Sequence, residues 1–124
     1  LTLLSYQQLI CVELDSALCS YMVQKFPNLT IIHGNASHLE KLIDHKRHGQ
    51  VGAIVSSIPL LALSAVERHQ VVQAYFAVLR PGGRVVQFTY GYKSPIARPG
   101  LDEKRVARIY ANLPPATVWA YEVS

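Results

Sequence analysis

The chain has 124 residues, half of them apolar and 16% charged, with a net charge of +4. That length suits one domain, and so large an apolar share supplies a real core and excludes a disordered chain. No apolar run approaches the ~18 residues of a membrane span, no secretory signal is present, and the positive charge admits nucleic acid or an anionic lipid surface as partner.

Leu1 to Gln8 is short and ambiguous. Leu9-Ile10-Cys11-Val12 reads as a buried strand ending abruptly in Glu13. Asp15 and Ser16 are N-cap residues. Leu18, Met22 and Phe26 then recur at helical spacing until Pro27 stops the helix. Leu29 to Ile32 is the next strand, Gly34-Asn35-Ala36 a turn, and Ser37-His38-Leu39-Glu40 a capping box that opens a helix to about Asp44.

Lys46 to Gln50 is a polar connection, followed by a third buried strand, Val51 to Val55. An apolar loop, Ser56 to Leu63, leads to a second capping box, Ser64-Ala65-Val66-Glu67. Its helix carries Ala65, His69, Val72, Phe76 and Leu79 on one stripe. Pro81 ends that helix, Gly82 and Gly83 make a tight reversal, and a β-rich strand runs from Arg84 to about Tyr90. Tyr92 to Gly100 reads as loop. Val106 to Ala111 and Thr117 to Glu122 read as a hairpin joined by Asn112-Leu113-Pro114-Pro115, with a helix over Asp102 to Asn112 as the competing assignment. Alternating buried strands and helices through the first 90 residues predict a mostly parallel sheet covered on both faces.

In open α/β sheets, ligands bind beyond the carboxyl ends of the strands. The candidates are therefore Glu13, Asn35, Ser56-Ser57-Ile58-Pro59 and Thr89-Tyr90-Gly91-Tyr92. A carboxylate at Glu13 can accept from both hydroxyls of a ribose, or simply flank a helix start. Asn35 offers donor and acceptor to an adenine edge, or serves its own turn. Tyr90 and Tyr92 present ring faces that attract methylated ammonium groups at ~0.5–2 kcal/mol each, or pack as ordinary strand-end residues. His38, His45 and His48 lack ligand spacing, and His69 reads as a core-edge residue. Cys11 and Cys19 read as buried free thiols in a reducing compartment. Walker, Cys-x-x-Cys and Gly-x-Ser-x-Gly motifs are absent.

Four segments together carry a resemblance: Val12-Glu13-Leu14-Asp15, Ser56 to Leu61, Leu79 to Gly91 ending in Phe-Thr-Tyr-Gly, and Asn112-Leu113-Pro114-Pro115-Ala116 running on to Trp119 and Tyr121. The chain resembles class I S-adenosylmethionine (SAM) methyltransferases, and more closely the bacterial phospholipid N-methyltransferases. The resemblance implies a Rossmann-like three-layer α/β sandwich whose mostly parallel sheet ends in an antiparallel hairpin. It implies SAM as cofactor, S-adenosylhomocysteine as product, and methyl transfer to the amine of phosphatidylethanolamine. It places Glu13, Leu14, Asn35, Ala36 and Ser56 at the cofactor and Ser57, Ile58, Pro59, Tyr90 and Tyr92 at the acceptor. Adenine-specific nucleic-acid methyltransferases carry Asn/Asp-x-Pro-aromatic where this chain has Ser57 and Leu60, so a nucleic-acid partner is disfavoured. The protein is expected in the cytoplasm, peripheral to the inner face of the membrane.

The family's sheet runs third, second, first, fourth, fifth, seventh, sixth strand. No Gly-x-Gly precedes Glu13, so the glycine-rich first motif, first strand and first helix are expected to lie outside this sequence. The strands flanking that central place then pair directly, accept a second copy as a homo-oligomer, or take a segment from upstream. A domain that keeps the fold without catalysis is the remaining alternative.

Overall fold

The computed structural model describes residues 8–90, 94–96, 101–109 and 116–123. The order is β1 (Ile10–Glu13), α1 (Ser16–Lys25), β2 (Thr30–His33), α2 (Leu39–Leu42), β3 (Val51–Ser56), α3 (Ala65–Val78), β4 (Leu79–Tyr90), β5 (Leu101–Ile109) and β6 (Ala116–Val123). Short 3₁₀ turns sit at Ala36–His38, His45–Arg47 and Leu60–Ala62.

The strands form two sheets. β1 and β2 pair in parallel, Glu13 beside His33. The second sheet has the order β3-β4-β6-β5. β3 and β4 are parallel, whereas β6 runs antiparallel to both β4 and β5. The C-terminal hairpin is thus present and the competing helix over 102–112 is not. Its connecting segment, 112–115, lies outside the described residues. Within each sheet the order agrees with the one implied for the family, and the division falls where the family places its first strand. β1 and β3 do not pair with each other, so direct pairing across that place does not occur among the described residues.

Local chemistry sets the helix boundaries. Asp15 caps α1, its Oδ1 accepting from the N–H groups of Ala17 and Leu18 at 2.9 and 3.0 Å. Ser64 caps α3, accepting from the Glu67 N–H at 3.2 Å. Ser37, by contrast, is not a cap: Asn35 takes that role, accepting from the Ser37 N–H at 2.9 Å. The expected helix is accordingly a 3₁₀ turn followed by the single turn of α2, which stops at Leu42 rather than Asp44.

The glycine-rich reversal also differs from expectation. β4 begins directly at Leu79, and Arg80 to Gly83 form an irregularity inside it, because Val51 pairs with Leu79 while Ala53 pairs with Arg84. Gly82 has φ +74°. A Cβ at Gly83 would lie 2.8 Å from the Arg80 carbonyl oxygen, so both positions need glycine for different reasons.

Register separates two faces of the larger sheet. Ile54, Val85 and Tyr121 line one face with Ser56, Gln87, Trp119, Thr89 and Thr117. This face packs on α3 and α2, and its core includes Leu39, Ile43, Leu60, Val71, Tyr75 and Val78. Ile10, Val12 and Ile32 of the smaller sheet pack against the same cluster. The opposite face carries Val55 with Val86, and Arg84 with Glu122. Val55 is 84% exposed, so β3 is not the strand buried on both faces that its apolar run suggests. α3 likewise buries Val71, Ala74, Tyr75 and Val78 rather than the stripe through His69, and His69 is exposed.

Candidate functional site

The candidate residues fall into two groups. The first stands at the carboxyl ends of β1 and β2. The Glu13 carbonyl accepts from the Gly34 N–H at 3.0 Å and thereby ties the two strand ends together. The Glu13 carboxylate accepts from the Asp15 N–H at 3.2 Å through Oε1. Its other oxygen has no protein partner among the described residues. Leu14 is 64% exposed, and its carbonyl oxygen is 2.9 Å from His33 Nε2. Asn35 is exposed; its Oδ1 is committed to the Ser37 N–H, which leaves the amide NH₂ as donor. Ala36 is half-buried against the core.

The second group stands at the carboxyl ends of β3 and β4. Ser56, the last residue of β3, is 5% exposed and its Oγ is 2.8 Å from the Tyr75 hydroxyl. The same Oγ accepts a long hydrogen bond, 3.4 Å, from the Ile58 N–H. Pro59, with φ −75° and ψ 74°, is the centre of an inverse γ-turn closed by Leu60 N–H to Ile58 carbonyl at 2.8 Å. Ser57 and Pro59 therefore face outward, Ile58 is half-buried, and Leu60 drops into the core at 1% exposure. Tyr90 ends β4, but its side chain, and Tyr92 entirely, lie outside the described residues. No hydrogen bond joins the two groups among the described residues.

A polar layer lies beneath this second group, and sequence reasoning missed it. Gln87 is fully buried; its Nε2 donates to the carbonyls of Ile58 and Phe88 at 2.8 and 2.9 Å. Gln87 Oε1 and Trp119 Nε1 are buried without partners among the described residues. Ser94 Oγ donates to the Ile96 carbonyl at 3.2 Å and also pairs with the Tyr121 hydroxyl. The only available sequence signal was the string of polar residues, Gln87, Thr89 and Thr117, at alternate positions of strands that otherwise read as core.

Titration behaviour limits the chemistry. Burial raises the Tyr75 phenol above its usual value, and the Ser56 hydrogen bond only partly offsets this. Burial raises Tyr121 too, opposed by the Ser94 hydrogen bond. Burial is also the main cause raising both thiols, reinforced by the Glu13 carboxylate. Cys11 is half-buried rather than buried, and both cysteines are free. Phenols and thiols so placed remain protonated near neutral pH and do not serve as bases or nucleophiles. Among the described residues no cluster of His, Cys, Asp and Glu could hold a metal ion, and no helix is long and apolar enough to cross a membrane. An open groove of about 470 Å³ beside α1, lined by Ser16, Ser20, Gln24 and His33 among others, contains none of the candidates.

No family model and no curated protein sequence matches the chain. Solved structures do. TrmN from Thermus thermophilus superposes with a TM-score of 0.66 at 18% identity, over 93% of this chain and 36% of that one. An rRNA methylase from Streptococcus thermophilus gives 0.62 at 11%, over 93% and 73%. The 1,6-didemethyltoxoflavin-N1-methyltransferase of Burkholderia thailandensis, solved with bound S-adenosylhomocysteine, gives 0.61 at 14%, over 94% and 62%. The fold is that of the class I SAM-dependent methyltransferases. The chain spans only part of the length of each of these structures, as little as 36% for TrmN. In such a fold the ends of β1 and β2 and the ends of β3 and β4 are the two places described above.

Proposed function

We propose that this chain is part of a SAM-dependent N-methyltransferase acting on the amine of a phosphatidylethanolamine-type phospholipid at an anionic membrane surface. The fold supports the reaction class, and the chemistry of the first group fits the adenosine half of the cofactor. Glu13 has acceptor capacity beyond the Asp15 N–H for a ribose diol, and Asn35 retains donors for an adenine ring nitrogen. When bound, SAM supplies an electrophilic methyl group. The chain's own residues orient and exclude water; the protonated tyrosines and thiols supply no base. Alignment, rather than strong acid–base catalysis, is what such a site contributes.

The observation that carries the acceptor reading is the burial of Leu60. Adenine-specific enzymes need an aromatic ring at that place to stack on the base. Here the residue is aliphatic and turned into the core, with Ser57 outside in place of the Asn or Asp. The half-exposed Ile58, Leu61 and Leu63 give the loop an apolar character suited to a lipid interface.

A second reading, methylation of RNA, is favoured by the rRNA methylase among the structural neighbours and by the exposed Lys46 and Arg47. The test is methyl transfer from labelled SAM to vesicles of phosphatidylethanolamine with an anionic lipid, run beside rRNA. Label in lipid and not in RNA is expected. Label in an RNA adenine, with none in lipid, reverses the two readings.

A further inference from the structure

We propose that Gln87 is a positioning residue whose side-chain amide sets the shape of the loop Ser57–Pro59. The inference rests on the reading of that loop as the acceptor site. Gln87 lies in β4 between Ser56 of β3 and Trp119 of β6, its register partners, and no part of it is exposed. A glutamine is a costly choice for a central strand, since an apolar residue needs no partners there.

Its amide is locked in one orientation. Both Nε2 protons are used, one on the Ile58 carbonyl at 2.8 Å and one on the Phe88 carbonyl at 2.9 Å. Flipping the amide would aim its oxygen at two carbonyl oxygens, so the assignment follows from the network. The consequence is that Oε1 is left in the core with no partner among the described residues. An unpaired buried acceptor in a folded protein calls for an explanation, and the Ile58 carbonyl provides one.

That carbonyl is the pivot of the loop. It already accepts from the Leu60 N–H across Pro59, also at 2.8 Å. The turn alone would leave the Ile58 peptide free to rotate about its flanking bonds. A second donor, fixed in a central strand 29 residues away, holds it against the sheet. Ser57 and Pro59 then face outward from a defined peptide plane, with Leu60 seated below. Gln87 itself touches no reacting atom. Its effect reaches the acceptor only through the placement of Ser57, Ile58 and Pro59.

The test compares the wild-type chain with Gln87→Met, which keeps length and volume but loses the donors. Gln87→Asn keeps the amide but is one methylene short of Ile58. The first readout is amide hydrogen exchange followed by mass spectrometry, which needs neither cofactor nor activity. Peptides covering 57–60 are expected to exchange roughly fivefold faster or more in both variants, while β4 and β6 keep their protection. Unchanged exchange at 57–60 overturns the proposal. So does equal loosening of β4, β6 and the loop, or failure of both variants to fold, since Gln87 would then be an ordinary core residue. The second readout is methyl transfer by Gln87→Met. SAM affinity is expected to hold while kcat/KM for the amine falls at least tenfold. An equal loss of SAM affinity overturns the positioning role. Absence of methyl transfer in the wild type refutes the functional reading alone and leaves the exchange result to decide for Gln87.

Discussion

Tyr75 and Ser56 form the second anchor of the acceptor loop, and their coupling can be worked out from the structure. Tyr75 is 3% exposed and Ser56 5%, and their hydroxyls are 2.8 Å apart. Tyr75→Phe removes one partner and leaves the Ser56 hydroxyl buried with only the 3.4 Å contact from the Ile58 N–H. Ser56→Ala leaves the Tyr75 hydroxyl with no described partner. Each single change should cost about 1–2 kcal/mol, the lost bond plus the penalty of a stranded buried group. Removing both strands nothing, so the double variant should cost no more than either single one, a coupling of about 1–2 kcal/mol. Urea denaturation at fixed m gives these differences directly, and each kcal/mol should move Tm by about 4 °C in a chain of this size. A double variant whose loss equals the sum of the singles would refute the reasoning, because it would mean the two hydroxyls do not depend on each other.

The same phenol predicts a pH effect. Burial raises Tyr75 above its usual value near 10, so the folded state binds this proton more tightly than the unfolded chain. The stability gained is complete below about pH 10 and drains as pH rises through the raised value; Tyr75→Phe should flatten that alkaline loss in a pH series of urea melts, and an unchanged slope would disprove the assignment. Glu13→Ala should weaken SAM binding tenfold or more by calorimetry of the intact protein while changing Tm little, because the carboxylate lies at a strand end; unaltered affinity would remove Glu13 from the site. Gly83→Ala should destabilise by about 1–3 kcal/mol, since a Cβ would press on the Arg80 carbonyl. Gly82→Ala, in open space at positive φ, should cost about 1–2 kcal/mol through backbone strain; a stable Gly83→Ala beside a damaged Gly82→Ala would contradict this account.

Features decided by neighbouring residues were legible in the sequence. Asp15 and Ser64 cap their helices because a short acceptor side chain needs only the next turn's N–H groups. The C-terminal hairpin was legible because two β-rich runs flank a turn. Features decided at a distance were not. α3 offers two apolar stripes of equal spacing, one through Ala65, His69, Val72 and Phe76, the other through Val71, Ala74, Tyr75 and Val78. Only the sheet chooses between them, and it chooses the one whose tyrosine hydroxyl meets Ser56. Ser37 and Asn35 both suited the cap, and the chain leaving β2 favoured Asn35. Val55 reads as buried from its neighbours, yet its face of β3 is open. Gln87 gave no local sign of its role, since its partner Ile58 is brought to it by the β3–β4 pairing.

The division of the site between two sheets bears on how any methyl transfer here could be efficient. Glu13 and Asn35 sit on β1 and β2, and the acceptor loop sits on β3 and β4. Displacement at a methyl group depends on alignment, and a misplacement of about 1 Å can cost a hundredfold in rate. Within each group the structure fixes positions by hydrogen bonds: Gly34 to Glu13 on one side, Ser56 to Tyr75 and Gln87 to Ile58 on the other. Between the groups, hydrogen bonding among the described residues supplies no such tie. What links the sheets is side-chain packing, with Ile10, Val12 and Ile32 set against the cluster that contains Leu39, Leu60 and Val78. Packing is less directional than a ladder of backbone hydrogen bonds but resists changes of volume strongly. Leu60 belongs to both descriptions, since it closes the γ-turn of the acceptor loop through its N–H and fills the shared core through its side chain. Leu60→Ala should therefore do more than open a cavity costing about 2–5 kcal/mol. It should also loosen the acceptor loop relative to the cofactor end, so that kcat/KM for the amine falls further than Tm alone would account for. A stability-matched control, Val71→Ala in the same cluster but remote from the loop, separates the two effects; equal activity in the two variants would show that the loop does not depend on its plug.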